Sequence, residues 1–281
     1  MASDADEKSS RLGSQSYLMS DDAPARERLK LLAEVYDPLT QTFLQESNIP
    51  KNARILDFGC GAGIMALWMA REIVPDGFVI GVDMSEAHIK SANQNKEKQG
   101  AKNVEFLHND LFESNFTSEF DLVTSRYLLM HLRDPKAAIL KMSSALRPNG
   151  LIILGEGAHC KVRAEPNSEV VSKTIELSRQ VASTLGVNYD IALSQVDLLD
   201  ESGFDIVNVD IHDTEVFGRA KHLLKLGVIE ASPRLLASKM FDEQTVQLFV
   251  DGLEKVANDE NSRTFMYEFH QVLARKKDPT K

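Results

Sequence analysis

Short apolar runs alternate with longer helical patterns through the first 156 residues of the chain. Such apolar runs predict buried strands, which we place at 53–58, 78–82, 103–108, 120–125 and 151–155. Helical periodicity covers the segments before and between them, at 24–47, 63–73, 85–99 and 135–146. This regular strand–helix alternation predicts an α/β fold, in which a parallel sheet carries helices on both faces.

Local signals indicate where these elements begin and end. Ser85 is suited to cap the start of one helix, and Gly100 is suited to end it. Pro135 stands near the start of another helix, where proline is favoured. Pro38 is expected to interrupt the N-terminal helix, and Pro148-Asn149-Gly150 to turn the chain into strand five.

The pattern changes after strand five. The following segments are predicted helical, at 165–186, at 191–202, and at 218–258 with a break at Ser232-Pro233. Strand six is predicted at 204–212 and a last strand at 265–274. Residues 1–16 are small and polar without periodicity, which predicts a disordered tail ahead of a single domain over 17–281.

A glycine-rich turn stands between strand one and the helix that follows it. Asp57 ends the strand, and Gly59, Gly61 and Gly63 follow at alternate positions. Glycine lets a ligand approach the backbone closely, and the start of a helix offers free N–H groups. The turn therefore predicts a nucleotide-like ligand at the carboxyl ends of the strands, where ligands of such sheets bind.

Composition excludes several classes of protein. The net charge of −10 argues against binding to nucleic acid over a wide surface. Two cysteines, Cys60 and Cys160, provide neither a disulfide framework nor a metal cluster. No signal-peptide pattern and no apolar run of about 18 residues is present, so we expect a cytoplasmic protein without a membrane span.

Five segments together resemble a known family. They are AspPheGlyCysGlyAlaGly at 57–63, Asp83, AsnAsp at 109–110, PheAspLeuValThrSerArg at 120–126 with LeuMetHisLeuArgAspPro at 129–135, and LeuArgProAsnGlyLeuIle at 146–152. In this order and spacing they resemble the class I S-adenosylmethionine-dependent methyltransferases. The opening around Tyr17 and Arg26–Leu29 is similar to the ubiquinone/menaquinone-biosynthesis subgroup.

The resemblance implies a Rossmann-like fold with seven strands, mostly parallel, the last of them antiparallel. It also implies helical cap segments, here an N-terminal cap at 17–50 and an insertion at 213–262. The insertion carries an apolar series that we expect to pack mainly as core. Part of it is left to line an acceptor pocket or a homodimer interface.

The resemblance assigns S-adenosylmethionine to residues at the strand ends. Gly59 and Gly61, with Cys60 between them, would pass the methionine part of the cofactor close to the backbone. Asp57 would orient this loop or meet the ammonium group through water. Asp83 would accept both ribose hydroxyls, with a plain helix cap as the alternative.

The adenine would lie against the next strand ends. Met84 offers an apolar face to the base or packs in the core. Asn109 and Asp110 follow strand three, where Asp110 would accept from the adenine amino group or remain an exposed loop acid. The Leu111 backbone N–H would then face a ring nitrogen.

Three more residues are assigned to the cofactor by the same resemblance. Arg126 would pair with an acid near the cofactor or form a structural ion pair. Tyr17 and Arg28 are carried over from the subgroup and would close over the methionine end.

Catalysis is less evident in the sequence. A sulfonium is reactive by itself, so alignment and exclusion of water can be sufficient, and a base is needed only when the acceptor must lose a proton. His131 is the candidate base because it follows strand four. Glu156 and His159, after strand five, are weaker candidates for substrate contact.

Three functions remain open at this level. The first is methylation of a small-molecule acceptor, the second is methylation of a protein side chain, and the third is a cofactor-binding regulator without turnover. Ile64 stands where a dinucleotide-binding turn needs glycine, which argues against an NAD-type enzyme. Thr124-Ser125-Arg126-Tyr127 replaces the Asn/Asp-Pro-Pro-Tyr/Phe segment of enzymes that methylate nucleic-acid bases.

Overall fold

The structure is a computed structural model that describes residues 23–237 and 241–277. The predicted tail over 1–16 and Tyr17 lie outside these residues. The chain divides into two compact units. Of the described residues, we call 40–156, 191–210 and 270–277 the sheet unit, and 23–39, 157–190, 211–237 and 241–269 the helical unit.

Seven strands form one sheet in the order β3-β2-β1-β4-β5-β10-β7. Their bounds are β1 Arg54–Phe58, β2 Phe78–Asp83, β3 Val104–His108, β4 Phe120–Arg126, β5 Leu146–Ala158, β7 Phe204–His212 and β10 Glu268–Lys276. Strands β1 to β5 pair in parallel. The sheet is mostly parallel with an antiparallel strand, which confirms the predicted fold class.

Helices cover the connections between these strands. Their bounds are α1 Ala23–Glu46, α2 Ile64–Trp68 with a π-helical continuation Met69–Ile73, α3 Glu86–Gln99, α4 Pro135–Ala145, α5 Glu169–Leu185, α6 Gln195–Glu201, α7 Leu223–Ala237 and α8 Glu243–Asn258. The Ser85 hydroxyl accepts the His88 N–H at 3.3 Å, and Gly100 ends the same helix at φ 63°. Both predicted caps of α3 are thereby confirmed.

The core of the sheet unit packs α2 and α3 onto the first three strands. Leu67, Ala92 and Phe106 are among its buried members. Phe106 from β3 reaches under the glycine turn, so the position of the turn depends on residues about 40 positions further along the chain.

The two predicted proline breaks are wrong. Pro38 lies inside the continuous helix α1, because Tyr36 and Phe43 on its two sides are fully buried and their packing offsets one lost backbone hydrogen bond. Pro233 lies inside α7. The Ser232 hydroxyl donates to the Ile229 carbonyl at 2.7 Å, which satisfies the acceptor that Pro233 leaves without its helical donor.

Two strand predictions also need correction. Residues 148–150 are not a turn before strand five but an irregularity within β5, since Leu146 pairs with Phe120 and Leu151 with Leu122. The last predicted strand, 265–274, is divided: Phe265 ends β9 Arg263–Phe265, which belongs to a second sheet, and β10 begins only at Glu268.

The second sheet has the order β6-β9-β8, with β6 Arg163–Glu165 and β8 Glu215–Val216. Its pairs are antiparallel. The guanidinium groups of Arg163 and Arg263 lie 3.8 and 4.9 Å from the centre of the Phe265 ring. Sequence periodicity missed this sheet because its strands have two or three residues each.

In the part of the chain that the structure describes, every helix is too short or too polar to cross a lipid bilayer.

Candidate functional site

The parallel strands bring polar residues of the sheet unit to one edge. Asp57 pairs in register with Gly81 on one side and Thr124 on the other, and Asp83 pairs with His108. Arg126 pairs with Gly155 at the end of β4. The strand ends that the sequence predicted to meet therefore do meet at the carboxyl edge of the sheet.

The glycine turn has the backbone that its residues predict. Gly59, Gly61 and Gly63 all have positive φ, at 74°, 54° and 74°. The Gly59 N–H donates to the Val82 carbonyl at 2.8 Å, which ties the turn to β2. A Cβ added at Gly61 would meet no atom within 4 Å, so this face of the turn is open to a ligand.

Asp83 holds the turn from the end of β2. One carboxylate oxygen, Oδ2, accepts the Gly61 N–H at 2.9 Å, and Oδ1 accepts the Ser85 N–H at 2.8 Å. His88 Nδ1 lies 3.4 Å from Oδ1. A carboxylate has about four acceptor positions, so Asp83 keeps acceptor capacity, although it is 4% exposed.

Asp57 is a buried carboxyl group behind the turn. Its Oδ1 accepts the Thr124 hydroxyl at 2.9 Å. Burial raises the pKa of Asp57 to about 6, against the lowering effects of the Thr124 hydrogen bond and of the Arg126 charge. Asp57 is thus tied to β4 by Thr124, and both roles considered for it stay predictions.

The raised pKa of Asp57 gives a pH-dependent stability. The folded chain keeps this proton to about pH 6 while the unfolded chain loses it near pH 4, so Asp57 makes folding less favourable as pH rises between these values. Asp57→Asn lacks this titrating group. Its free energy of unfolding should therefore rise by about 3 kcal/mol relative to that of the wild type between pH 4 and pH 7.

Urea unfolding of both proteins across this pH range measures the difference directly. Glu156 titrates in both proteins and cancels in the difference. A stability difference that stays constant with pH would contradict the assigned pKa.

The residues after β2 and β3 are placed beside each other but differ in exposure. Met84 is 39% exposed, so the alternative that it packs in the core is wrong. The Asp110 carboxylate accepts the Phe112 N–H at 2.8 Å in its own loop. The Asn109 N–H donates to the Asp83 carbonyl at 3.1 Å, and Leu111 is buried. Contacts of these four residues with a cofactor stay predictions.

Arg126 lines a small cavity at the sheet edge with Asp57. Its guanidinium donates to the Thr40 hydroxyl at 3.3 Å. The cavity is lined by polar and apolar side chains and by Gly155, namely Thr40, Leu44, Asp57, Met65, Met69, Thr124, Ser125, Arg126, Ile153, Gly155 and Gln271. Arg126 therefore supplies positive charge next to the buried Asp57 carboxyl group.

His131 lies in a tight turn after β4. Residues Leu129–His131 form a 3₁₀ helix, and the His131 N–H donates to the Leu128 carbonyl at 3.0 Å. The side chain of His131 is half-buried. The turn is held by Glu156, whose Oε1 accepts the N–H groups of Leu128 and Leu129 at 3.0 and 2.8 Å.

Two other predicted residues lie in the helical unit. Arg28 donates to Glu230 at 2.5 Å, and both side chains are mostly buried. His159 stacks on Tyr267 with ring centres 4.1 Å apart, and its Nδ1 lies 3.2 Å from the Ser178 hydroxyl. These contacts account for His159 as a packed residue of this unit.

The comparisons with known proteins agree with this arrangement. A model of the methyltransferase domain family matches residues 49–169. A demethylmenaquinone methyltransferase of Geobacillus kaustophilus is 29% identical over 111 residues, which are 39% of this chain and 47% of the relative. The chain spans less than half the length of the curated relatives it matches.

Solved structures share the fold. A candidate methyltransferase from Bacillus halodurans superposes with a TM-score of 0.60 at 19% identity, over 84% of this chain and 98% of that one. A Haemonchus contortus phosphoethanolamine N-methyltransferase, bound to S-adenosylhomocysteine and phosphomonomethylethanolamine, gives a TM-score of 0.52 at 18% identity, over 90% and 52%.

Residues 49–169 therefore match a methyltransferase domain. This match agrees with the resemblance to S-adenosylmethionine-dependent methyltransferases that the sequence motifs indicated. The residues present fit S-adenosylmethionine as a cofactor. The methyltransferase domain leaves Gly61 open, and Asp83 beside it has unused acceptor capacity for hydroxyl groups.

Sequence reasoning missed two residues that support the site of the methyltransferase domain. Thr124 donates to Asp57, and Thr40 accepts from Arg126. The sequence offered one indication of Thr124, since it lies in the strand predicted beside that of Asp57. Which residue of that strand faces Asp57 depends on the strand register, which the sequence does not show. No sequence signal indicated Thr40, because it lies 86 residues from Arg126 and follows Pro38, where a helix break was wrongly predicted.

Metal ligation is not supported within residues 23–237 and 241–277, where no group of three His, Cys, Asp or Glu side chains is arranged to hold an ion.

Proposed function

We propose that this protein transfers the methyl group of S-adenosylmethionine to a small-molecule acceptor. The observation that carries the proposal is the open Gly61 face of the turn, with the Asp83 carboxylate bonded to the Gly61 N–H. Relatives named for demethylmenaquinone and phosphoethanolamine act on small molecules, which supports this class of acceptor. The net charge of −10 also disfavours nucleic acid.

The cofactor would be held at the carboxyl edge of the sheet. Gly59, Cys60 and Gly61 would bind its methionine part through the backbone, and Asp83 would accept from its ribose. Met84, Asn109, Asp110 and Leu111 would surround the adenine. Asp57 would meet the ammonium group of the methionine part through water, and Arg126 would pair with an acid near the cofactor. S-adenosylmethionine, when bound, supplies an electrophilic methyl group on a sulfonium.

The chain itself contributes alignment. A positioned acceptor reacts far faster than a free one, because binding free energy has already offset the loss of its translational freedom. From the turn after β4, the His131 side chain would form a hydrogen bond with the methyl-acceptor molecule, as donor or as acceptor. It would act as a base only for an acceptor that must lose a proton.

Release of S-adenosylhomocysteine with a panel of acceptors tests the function. The panel should include quinol-like phenols, primary and secondary amines, and thiols, with a peptide library and a reaction without acceptor as separate arms. Turnover of one small-molecule class is expected. Turnover of peptides alone would favour protein methylation. Calorimetric binding of S-adenosylmethionine with no turnover in any arm would favour a regulator.

His131→Gln is expected to lower kcat for that acceptor by about tenfold, the effect of losing one aligned hydrogen bond. The affinity for S-adenosylmethionine should not change, because the cofactor residues lie elsewhere on the edge. Steady-state kinetics and calorimetry measure the two quantities.

His212→Gln is the matched control, because His212 is a half-buried histidine at the end of β7 that is assigned to neither the cofactor nor the acceptor. Its kcat should equal that of the wild type. An unchanged kcat in His131→Gln would remove His131 from the reaction.

A further inference from the structure

The turn after β4 is held in a conformation that its own residues do not favour. Tyr127 has a φ of 52°, in the left-handed region that non-glycine residues avoid. Its N–H donates to the Gly155 carbonyl at 2.9 Å, as the last bond of the β4–β5 ladder. Some interaction outside the turn must therefore keep the chain in this shape.

Glu156 provides that interaction. It follows Gly155 in β5 and has no exposed surface. The N–H groups at the start of a helix have no partner within it, and Leu128 and Leu129 donate theirs to Glu156 Oε1. Glu156 thus acts as a helix cap that comes from a neighbouring strand.

The second carboxyl oxygen of Glu156, Oε2, differs from Oε1 in its contacts. Among the described residues Oε2 has no hydrogen-bond partner, although it is fully buried. Burial raises the pKa of Glu156 to about 8, so the group is mostly protonated at neutral pH. A neutral carboxyl group of this kind holds the N–H groups with Oε1 and keeps a proton on the other oxygen.

We propose that Glu156 is the positioning residue of the acceptor side, and that it fixes His131 and Tyr127 through the N–H groups of Leu128 and Leu129. The inference rests on the proposed function for its substrate. It differs from a general structural role because the N–H groups of the cofactor turn, at Gly59, Cys60 and Gly61, donate to Val82 and Asp83 and not to Glu156, while the Leu128 side chain packs beside Gly59. Loss of Glu156 should therefore affect the acceptor and spare the cofactor.

The test uses the full chain with Glu156→Leu and Glu156→Gln. Leucine removes the acceptor oxygen, whereas the glutamine carbonyl can still accept both N–H groups. We expect Glu156→Leu to lower kcat/KM for the acceptor by about a hundredfold, the effect of a misplaced group. Its Kd for S-adenosylmethionine should stay within about twofold of the wild type, and Glu156→Gln should restore most of the acceptor kinetics.

Gln195→Leu is the matched control. Gln195 is also fully buried, and its Nε2 donates to the His270 carbonyl at 3.0 Å. This variant should lose stability without a change in acceptor kinetics.

The inference is overturned if Glu156→Leu keeps the acceptor kcat/KM, or if cofactor affinity falls in parallel with it. If Glu156→Leu does not fold, Glu156→Gln decides, since acceptor kinetics well below the wild type in a stable Glu156→Gln would contradict the positioning role. A wild-type protein without turnover would instead contradict the proposed function.

Discussion

Asp83→Asn is expected to raise the Kd for S-adenosylmethionine by about a hundredfold. A charged acceptor contributes roughly 1.5–3 kcal/mol per hydrogen bond, and Asp83 would bind two ribose hydroxyls. The substitution also turns an amide group toward the Gly61 or Ser85 N–H, which the carboxylate now accepts. Isothermal calorimetry of the purified variant measures the change.

Asp121→Asn is the control for this experiment. The Asp121 carboxylate also accepts a backbone N–H, that of Arg54 at 2.8 Å, and pairs with Arg147 at 2.6 Å, but at the beginning of β4. It should therefore leave cofactor affinity unchanged. If Asp83→Asn binds as tightly as the wild type, the ribose assignment is wrong and Asp83 is a loop clamp only.

Gly63→Ala is expected to destabilise the fold by about 3 kcal/mol. The added Cβ would lie 2.4 Å from Phe106 Cζ and 2.9 Å from Ala92 Cβ, which overpacks the core beneath the turn. The φ of 74° adds the cost of a left-handed residue, about 1–2 kcal/mol. Urea unfolding with a linear extrapolation gives the free energy.

Gly203→Ala separates these two contributions. Gly203 has a φ of 85°, and a Cβ there would meet no atom within 4 Å. It should therefore lose only the backbone part, about 1 kcal/mol. Equal losses in the two variants would show that Phe106 moves aside and that Gly63 is required for its backbone alone.

The elements that the sequence predicted well are those with local causes. Ser85, Gly100 and Pro135 stand at helix ends whose requirements are set within one turn of chain. The predicted proline breaks were wrong because the sequence shows the cost of one missing backbone N–H but not the tertiary contacts that offset it. Burial of Tyr36 around Pro38, and the Ser232 hydroxyl beside Pro233, changed that balance.

The sequence by itself determined the glycine turn and the order of the strands' polar ends. Both follow from short-range backbone limits and from the rule that parallel strands end at one edge. The cofactor came from the resemblance of the five motifs to a known family. Only the tertiary structure decided which atoms meet at that edge. It placed Thr124 on Asp57, Gly61 on Asp83, and Leu128 with Leu129 on Glu156.

The physical reason is that a buried polar group must find a partner somewhere, and sequence distance does not limit where. Oε1 of Glu156 is the example, since its two N–H partners, Leu129 and Leu128, lie 27 and 28 residues earlier in the chain.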